Sequence, residues 1–226
     1  MLNTIKGLLE SGSKKVKTVD AAQKELDKLT AIESELQGKR SGVAAQINEV
    51  ERALGIISAN LIIDENDKHA LASKDKGTKK VESLQKEANE LDSKIAETQQ
   101  KKLEANKEVY RSQGEEARKN NVEVTKQTRV IGGINSFFGI DSHSPHSVRG
   151  VHKQGIDLSE AYGLGDFQQI NPVDQSFVIE ANKEDNAKGQ EEAKAIIKEA
   201  FEAMKAVLNQ HGIELRSETV KRIENL

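Results

Sequence analysis

The sequence predicts a mainly α-helical protein, in which a long antiparallel coiled-coil helical hairpin precedes a small irregular and helical C-terminal region. Three observations predict this fold. Apolar residues recur every seven positions along two long stretches. Of the 226 residues, 35% are hydrophobic and 3% aromatic, whereas 31% are charged, which suits a narrow two-helix seam better than a large globular core. Finally, both prolines and most of the aromatic residues follow the two stretches, in residues 129–182.

The first predicted helix contains two apolar columns of a heptad repeat. One column consists of Leu29, Leu36, Val43, Val50 and Ile57, and the other contains Leu26, Ile47 and Leu54. Glu33 and Arg40 occupy the second column, where apolar residues are expected. Two explanations are open: the polar residues fix register and partner, or the seam is locally loose. Gly38 and Gly42 each cost about 1 kcal/mol relative to alanine, so the middle of this helix is predicted to be weak.

The second helix repeats the pattern after a turn. We expect the tip of the hairpin near residues 60–78, with Thr78 as N-cap of the second helix and its end near Thr128. The acidic residues 64–67 lack the glycine and terminal glutamate of an EF-hand and are predicted to form a solvated loop. The apolar columns are Val81, Ala88, Ile95 and Val109, with Leu84, Leu91 and Ala105, interrupted by Thr98 and Lys102. Pairing of each helix with a second molecule is the competing topology.

The chain is divided by these patterns into four predicted regions. They are an N-terminal amphipathic segment at 1–16 (with Leu2, Ile5, Leu8 and Leu9), the coiled-coil hairpin at 17–130, an irregular Gly/Pro/aromatic segment at 131–182, and C-terminal helices at 183–226. Residues 177–179 are interpreted as a short strand or an extended buried run. Gly212 stands where a helix C-terminal cap belongs, and Ser217 is a candidate cap for the last helix.

Composition excludes several classes of function. The chain has 34 basic and 37 acidic residues, a formal charge of −3, so we expect no nucleic-acid partner. It has no cysteine, which excludes disulfides, thiol catalysis and cysteine-ligated metals. Because no run of eighteen apolar residues occurs, a membrane-spanning helix is not expected. We predict a cytoplasmic protein, or one within a virion assembled there.

No catalytic motif is found, so the prediction is a protein that is not an enzyme and needs no cofactor. His143, His146 and His152, with Asp141 nearby, were weighed as a metal site. A helix is not expected across Pro145 and the spacing matches no familiar ligand set, so surface or turn histidines are favoured and no metal is predicted.

The most apolar stretch is residues 129–140, and partner binding is predicted to depend on the wider segment 129–182 and the adjoining C-terminal helix. Buried packing, a membrane-touching wedge and a docking patch are the three explanations, and burial is favoured. The apolar stripe of the C-terminal helix is expected to form core and also a plausible interaction surface. The predicted partner-binding residues are Phe137, Phe138, Ile140, Phe201, Met204 and Leu208.

A local resemblance concerns residues 138–164. Phe138-Gly139-Ile140-Asp141-Ser142-His143-Ser144-Pro145-His146-Ser147-Val148, followed by Gly155-Ile156-Asp157-Leu158 and Gly163-Leu164, resembles the Gly-Ile-His-Ser-Pro-Ser-like segment of tailed-phage tape-measure proteins. Asp141-Ser142 is inserted here, and His146 separates Pro145 from Ser147. The resemblance implies a phage-associated scaffold, virion or tail component.

The function expected from these observations is structural. The hairpin sets a distance, the C-terminal region docks on protein partners, and the unpartnered apolar stripe predicts a low-order homo-oligomer. A regulator or inhibitor of a host or defence protein is the first alternative. The second is a peripheral membrane-binding protein that uses the N-terminal segment or Phe137-Phe138, although membrane binding is judged unlikely because the segment is short and the net charge negative.

Overall fold

A computed structural model describes residues 16–150 and 153–225 of the chain. This part is 80% helix and contains no strand, so the predicted mainly α-helical class is confirmed. Residues 1–15 of the predicted amphipathic segment, together with His152, lie outside the described residues. The helices are α1 (Val19–Ile63), α2 (Lys68–Phe137), α3 (Leu158–Ala161), α4 (Pro172–Gln210) and α5 (Ser217–Glu224).

The described chain separates into two compact units, which we name the arm unit (Lys17–Val109) and the C-terminal unit (from Tyr110 onward). In the arm unit, two long helices pack together, α1 and the first part of α2. Their shared core is narrow and is built from residues of the predicted heptad columns. It consists of buried Val43, Leu84, Ala88 and Leu91, with partly buried Leu36, Ile47 and Val50 packed against them.

The turn between α1 and α2 is much shorter than predicted. α1 continues to Ile63 and α2 begins at Lys68, so only residues 64–67 connect them. Asp67 explains the early start, because its Oδ1 accepts hydrogen bonds from the N–H groups of His69 and Ala70, at 2.9 and 3.1 Å. The prediction that Thr78 caps this helix is therefore wrong. Thr78 lies inside α2 and its hydroxyl donates to the carbonyl of Lys74, at 3.0 Å.

The start of α4 was also predicted wrongly. Asn171 caps this helix by accepting from the N–H groups of Val173 and Asp174, at 3.1 and 3.0 Å, and Pro172 occupies the first turn, where its missing N–H costs nothing. Residues 177–179, interpreted as a strand or extended run, are therefore helical. The helix begins eleven residues before position 183, where the sequence predicted it.

The C-terminal unit has two apolar clusters. The first consists of buried Ala117, Leu158, Tyr162, Val178 and Ala181. The second consists of buried Ile197, Phe201 and Ile223, with Val130, Phe137, Met204 and Leu215 packed against it. Gly212, just after the C-terminal end of α4, has φ +71°, so its predicted capping role is confirmed. Arg216 occupies the N-cap position of α5 and Ser217 is the first helical residue, so the prediction that Ser217 caps this helix is wrong.

Candidate docking surface

Three phenylalanines meet where α2 ends beside α4. The ring centroids of Phe137 and Phe201 are 3.8 Å apart, and Phe138 lies 5.5 Å from Phe137 and 5.7 Å from Phe201. Arg222 of α5 covers the outer side, with its guanidinium carbon 4.7 Å from the Phe137 ring centroid. The same guanidinium donates a hydrogen bond to the Phe137 carbonyl at 2.8 Å. The end of α2 is thus tied to both α4 and α5.

These three rings differ in what they offer to a partner. Phe201 is 3% exposed and forms part of the core, whereas Phe138 remains 53% exposed. Phe137 is partly buried between them. Of the predicted partner-binding residues, Phe138 therefore has the largest free surface, and Phe201 serves to hold it in place.

The remaining predicted residues are half-buried. Met204 packs against the cluster that contains Phe201. Ile140 follows the end of α2, where its N–H donates to the carbonyl of Asn135 at 2.9 Å. Leu208 lies in the last turn of α4, and its carbonyl accepts from the N–H of Ile213 at 3.0 Å. The structure therefore brings together Phe137, Phe138, Phe201 and Met204, and places Ile140 and Leu208 at helix ends.

Sequence reasoning missed two asparagines of α2 that each make a pair of hydrogen bonds to the backbone of the irregular segment. Asn135, 5% exposed, donates to the carbonyl of Val148 at 2.9 Å and accepts from its N–H at 2.8 Å. Asn121 makes the same two bonds to Ile156, at 2.9 and 2.8 Å. We name these residues the asparagine clamps. An asparagine in a long helix is usually solvated, and the only sequence signal was that both precede a segment without its own helical pattern.

A buried ion pair joins α2 to α4 in the C-terminal unit. Arg118 donates from Nε to Asp185 Oδ1 at 2.9 Å and from Nη2 to Glu184 at 2.8 Å. Asp185 is only 4% exposed. Nearby, burial together with the neighbouring Glu115 carboxylate raises the pKa of Tyr162, whose hydroxyl donates to Glu115 at 3.0 Å. Tyr162 therefore stays neutral at physiological pH and acts as a structural donor.

In the arm unit, three of the four polar residues of the heptad columns, Glu33, Arg40 and Lys102, are paired across the helices. Glu33 accepts from Gln99 and from Lys102, each at 2.9 Å. Arg40 donates to Asp92 at 2.9 Å. The hydrogen bond from Lys102, with that from Gln99, lowers the pKa of Glu33. These contacts favour the first explanation of the polar positions, that they fix register.

The histidines of the irregular segment form no cluster of ligands where they can be seen. His143 Nδ1 lies 3.3 Å from Asp141 Oδ1, and its side chain is 95% exposed. Residues 16–150 and 153–225 contain no group of three or more potential His, Cys, Asp or Glu ligands. Within the same ranges, no helix is long and apolar enough to cross a membrane.

Comparisons of the chain with protein-family models, with curated proteins and with solved structures found no match. The two units differ in what they expose. One presents paired polar and apolar residues along a narrow seam, and the other presents an exposed aromatic ring on a tightly held cluster.

Proposed function

We propose that this chain is a non-enzymatic structural or assembly protein, which binds other protein subunits and holds them at a set distance. In this proposal the arm unit is an antiparallel coiled-coil hairpin that acts as the spacer. The C-terminal unit carries the docking surface around Phe138, and the chain forms a low-order homo-oligomer. A phage context is part of the proposal only through the resemblance of residues 138–164.

The order of contacts across the two long helices carries this proposal. Glu33 contacts Lys102, Arg40 contacts Asp92, and the side chain of Leu54 lies over Gly77, where an added Cβ would be 2.7 Å from it. Positions on α2 thus fall as positions on α1 rise. This order supports antiparallel pairing within one chain over pairing of each helix with a second molecule, because a turn of four residues favours helices that fold back on each other.

The docking surface is supported by the exposure and rigidity of Phe138. Aromatic side chains are frequent binding hot spots when their surroundings are well packed, since little conformational freedom is lost on binding. Phe138 has this environment, because Phe137 and Phe201 support it from two sides. It also stands at the beginning of an irregular segment on a helical scaffold, which is where recognition is usually found.

The test compares three versions of the chain in proximity labelling in its native host, followed by binding measurements with the protein that is labelled. They are the natural chain, the Phe138→Ser variant, and a variant that lacks one heptad in each long helix of the arm unit (residues 44–50 and 82–88). Phe138→Ser should weaken binding of the partner by about 2 kcal/mol, as expected for an aromatic hot spot. The shortened hairpin should keep the same partner, because whole heptads preserve the seam.

Lys101→Glu on the exposed face of the arm is the matched control and should bind like the natural chain. Circular dichroism must show unchanged helix content in each variant. If the folded Phe138→Ser variant binds the partner normally while the shortened hairpin does not, the arm unit is the recognition surface and this part of the proposal fails. If the natural chain labels no more protein than an unrelated helical hairpin, the binding function itself is contradicted.

A further inference from the structure

A cleft of about 990 Å³ lies in the C-terminal unit, beside the part of α2 from Glu123 to Asn135. Its other walls come from Ser142 and His143, from residues 148–150, from Lys153 and from Ile196 of α4. Small-molecule sites in proteins are typically clefts of roughly 300–1,000 Å³. This cleft therefore has the size of a ligand site and is too large for a packing defect.

The asparagine clamps attach the irregular segment to α2 on either side of the cleft. Asn121 and Asn135 are fourteen residues apart, nearly four helical turns, so they project from one face of α2 about 21 Å from each other. Each makes two hydrogen bonds of 2.8–2.9 Å to backbone, one clamp at Val148 and the other at Ile156. The cleft lies between these two attachment points. Its shape is thus set by side chains whose hydrogen bonds are all made inside the chain.

The floor of the cleft is apolar and offers few free polar groups. Its polar side chains are largely engaged already: Asn135 uses both its amide atoms at Val148, and Gln127 donates to Glu123 at 2.8 Å. A peptide backbone placed here would lose hydrogen bonds to water without replacing them, whereas a hydrocarbon chain has none to lose. The apolar lining consists of Val124, Val130, Ile131, Val148 and Ile196.

The charged side chains that line the cleft are mostly cationic. Lys126, Arg149 and Lys153 line it with a single carboxylate, Glu123, although the chain as a whole carries −3. Lys126 is paired with Glu123 and lies 3.5 Å from Glu192. In the described part of the chain neither Arg149 nor Lys153 belongs to an ion pair, and Arg149 Nε only reaches Ser147 Oγ at 3.5 Å. Arg149 is thus left to meet a negative ligand, with Lys153 beside the cleft as a second cation whose charge also acts on Glu123.

We propose that this cleft binds a single-chain amphipathic anion, an acyl chain with a carboxylate head. The hydrocarbon lies on the apolar lining and is removed from water there. The head group meets Arg149 and Lys153, and the guanidinium of Arg149 suits a carboxylate because it can donate two parallel hydrogen bonds. This site is separate from the proposed docking surface at Phe138, and either can fail without the other.

The test measures binding of dodecanoate, dodecyl maltoside and dodecyltrimethylammonium by calorimetry below their micelle concentrations. The three probes carry twelve-carbon hydrocarbon chains with an anionic, an uncharged and a cationic head, respectively. Dodecanoate should bind most tightly and the cationic probe least. The double substitution Arg149→Gln with Lys153→Gln should lower the affinity for dodecanoate by about tenfold or more. This is the loss expected when a charged hydrogen-bonded contact is removed. Ile196→Ser should lower the affinity for dodecanoate and for dodecyl maltoside by similar factors.

Lys119→Gln with Lys198→Gln is the matched control, because it removes two exposed lysines of α2 and α4 that do not line the cleft. It should bind dodecanoate like the natural chain, with helix content checked by circular dichroism. Equal loss in this control, equal binding of all three heads, or no binding of dodecanoate would each overturn the proposal. A final arm uses phosphatidylglycerol vesicles. Binding to vesicles without binding to monomeric dodecanoate would show a membrane-surface protein and would also overturn it.

Discussion

The arm unit and the C-terminal unit are both helical, but they use the same residue types for different purposes. The arm unit has open space around several of its glycines and a partly exposed Arg–Asp pair between its helices. In the C-terminal unit, several glycines lie where a neighbouring element approaches closely, the Arg–Asp pair includes a buried carboxylate, and asparagines hold irregular backbone. An added Cβ at Gly42 of the arm unit meets nothing within 4 Å, whereas at Gly189 it would lie 2.7 Å from the carbonyl oxygen of Val122.

This difference is consistent with the different roles proposed for the two units. A narrow seam with solvated outer faces tolerates changes in length and surface charge, as a spacer must. Close helix contacts with buried polar groups specify one arrangement, and they fix exposed side chains such as Phe138 for recognition. The predictions below test whether the contrast between the units is real, beginning with the largest expected effect.

The largest difference is expected between two Arg–Asp pairs of similar geometry. Arg118→Met leaves Asp185 buried without its partner and should lower the free energy of unfolding by about 3–5 kcal/mol. The side chains of Arg40 and Asp92 are 33% and 51% exposed. Arg40→Met, which breaks this pair, should therefore lower the free energy of unfolding by no more than about 1 kcal/mol. Urea denaturation followed by circular dichroism measures both. Equal costs would show that the two units do not differ in how they use charge.

A second comparison uses glycine-to-alanine substitutions. Gly42→Ala should stabilise the chain by up to about 1 kcal/mol, because alanine is the better helix former and the site is open. Gly189→Ala should destabilise it by about 1–3 kcal/mol, since the new methyl group meets backbone of α2 that cannot move freely. Thermal unfolding should therefore shift in opposite directions. A stabilising Gly189→Ala would mean that α4 lies further from α2 than the structure has it.

The sequence predicted the arm unit better than the C-terminal unit, for physical reasons. Heptad columns identify a seam without knowledge of the partner helix, and Val43 and Leu84 lie in the core as expected. The predicted turn is too long for two reasons. Residues 68–77 have few apolar positions, and the capping role of Asp67 has no distinctive pattern in the sequence. The capping role of Gly212 was predicted because a glycine after an apolar stripe marks a helix end.

The candidate docking surface could be predicted only in part. Concentrated aromatics indicated Phe137, Phe138 and Phe201, but which ring is buried depends on the crossing of α2, α4 and α5, and local sequence does not encode that crossing. The asparagine clamps depend on contacts between residues 13 and 35 positions apart. A helical pattern gives no sign of such long-range bonds.

The smallest effect is expected from acid. Because the pKa of Glu33 is lowered in the folded chain, its stabilising contribution is complete above the ordinary glutamate value of 4.5 and is lost as the pH falls through the lowered pKa. The melting temperature of the natural chain should therefore fall more steeply below pH 4.5 than that of Glu33→Gln. Glu51→Gln, at an exposed position of α1, is the control and should follow the natural chain. If the melting temperatures of all three proteins change with pH in parallel, Glu33 does not make a stabilising contact between the two helices.

The central claim, that one chain forms an antiparallel hairpin, is tested most directly by distances between spin labels. The chain has no cysteine, so Glu35→Cys with Lys101→Cys provides two unique sites for electron-resonance measurements. Neighbouring helix axes lie about 8–10 Å apart, so this pair should give a short distance that does not change on dilution with unlabelled protein. In Glu35→Cys with Lys79→Cys the two labels are offset by about 30 Å along the helix axis, so this pair should give a clearly longer distance. A short distance for the second pair, or one for the first pair that disappears on dilution, would contradict the hairpin.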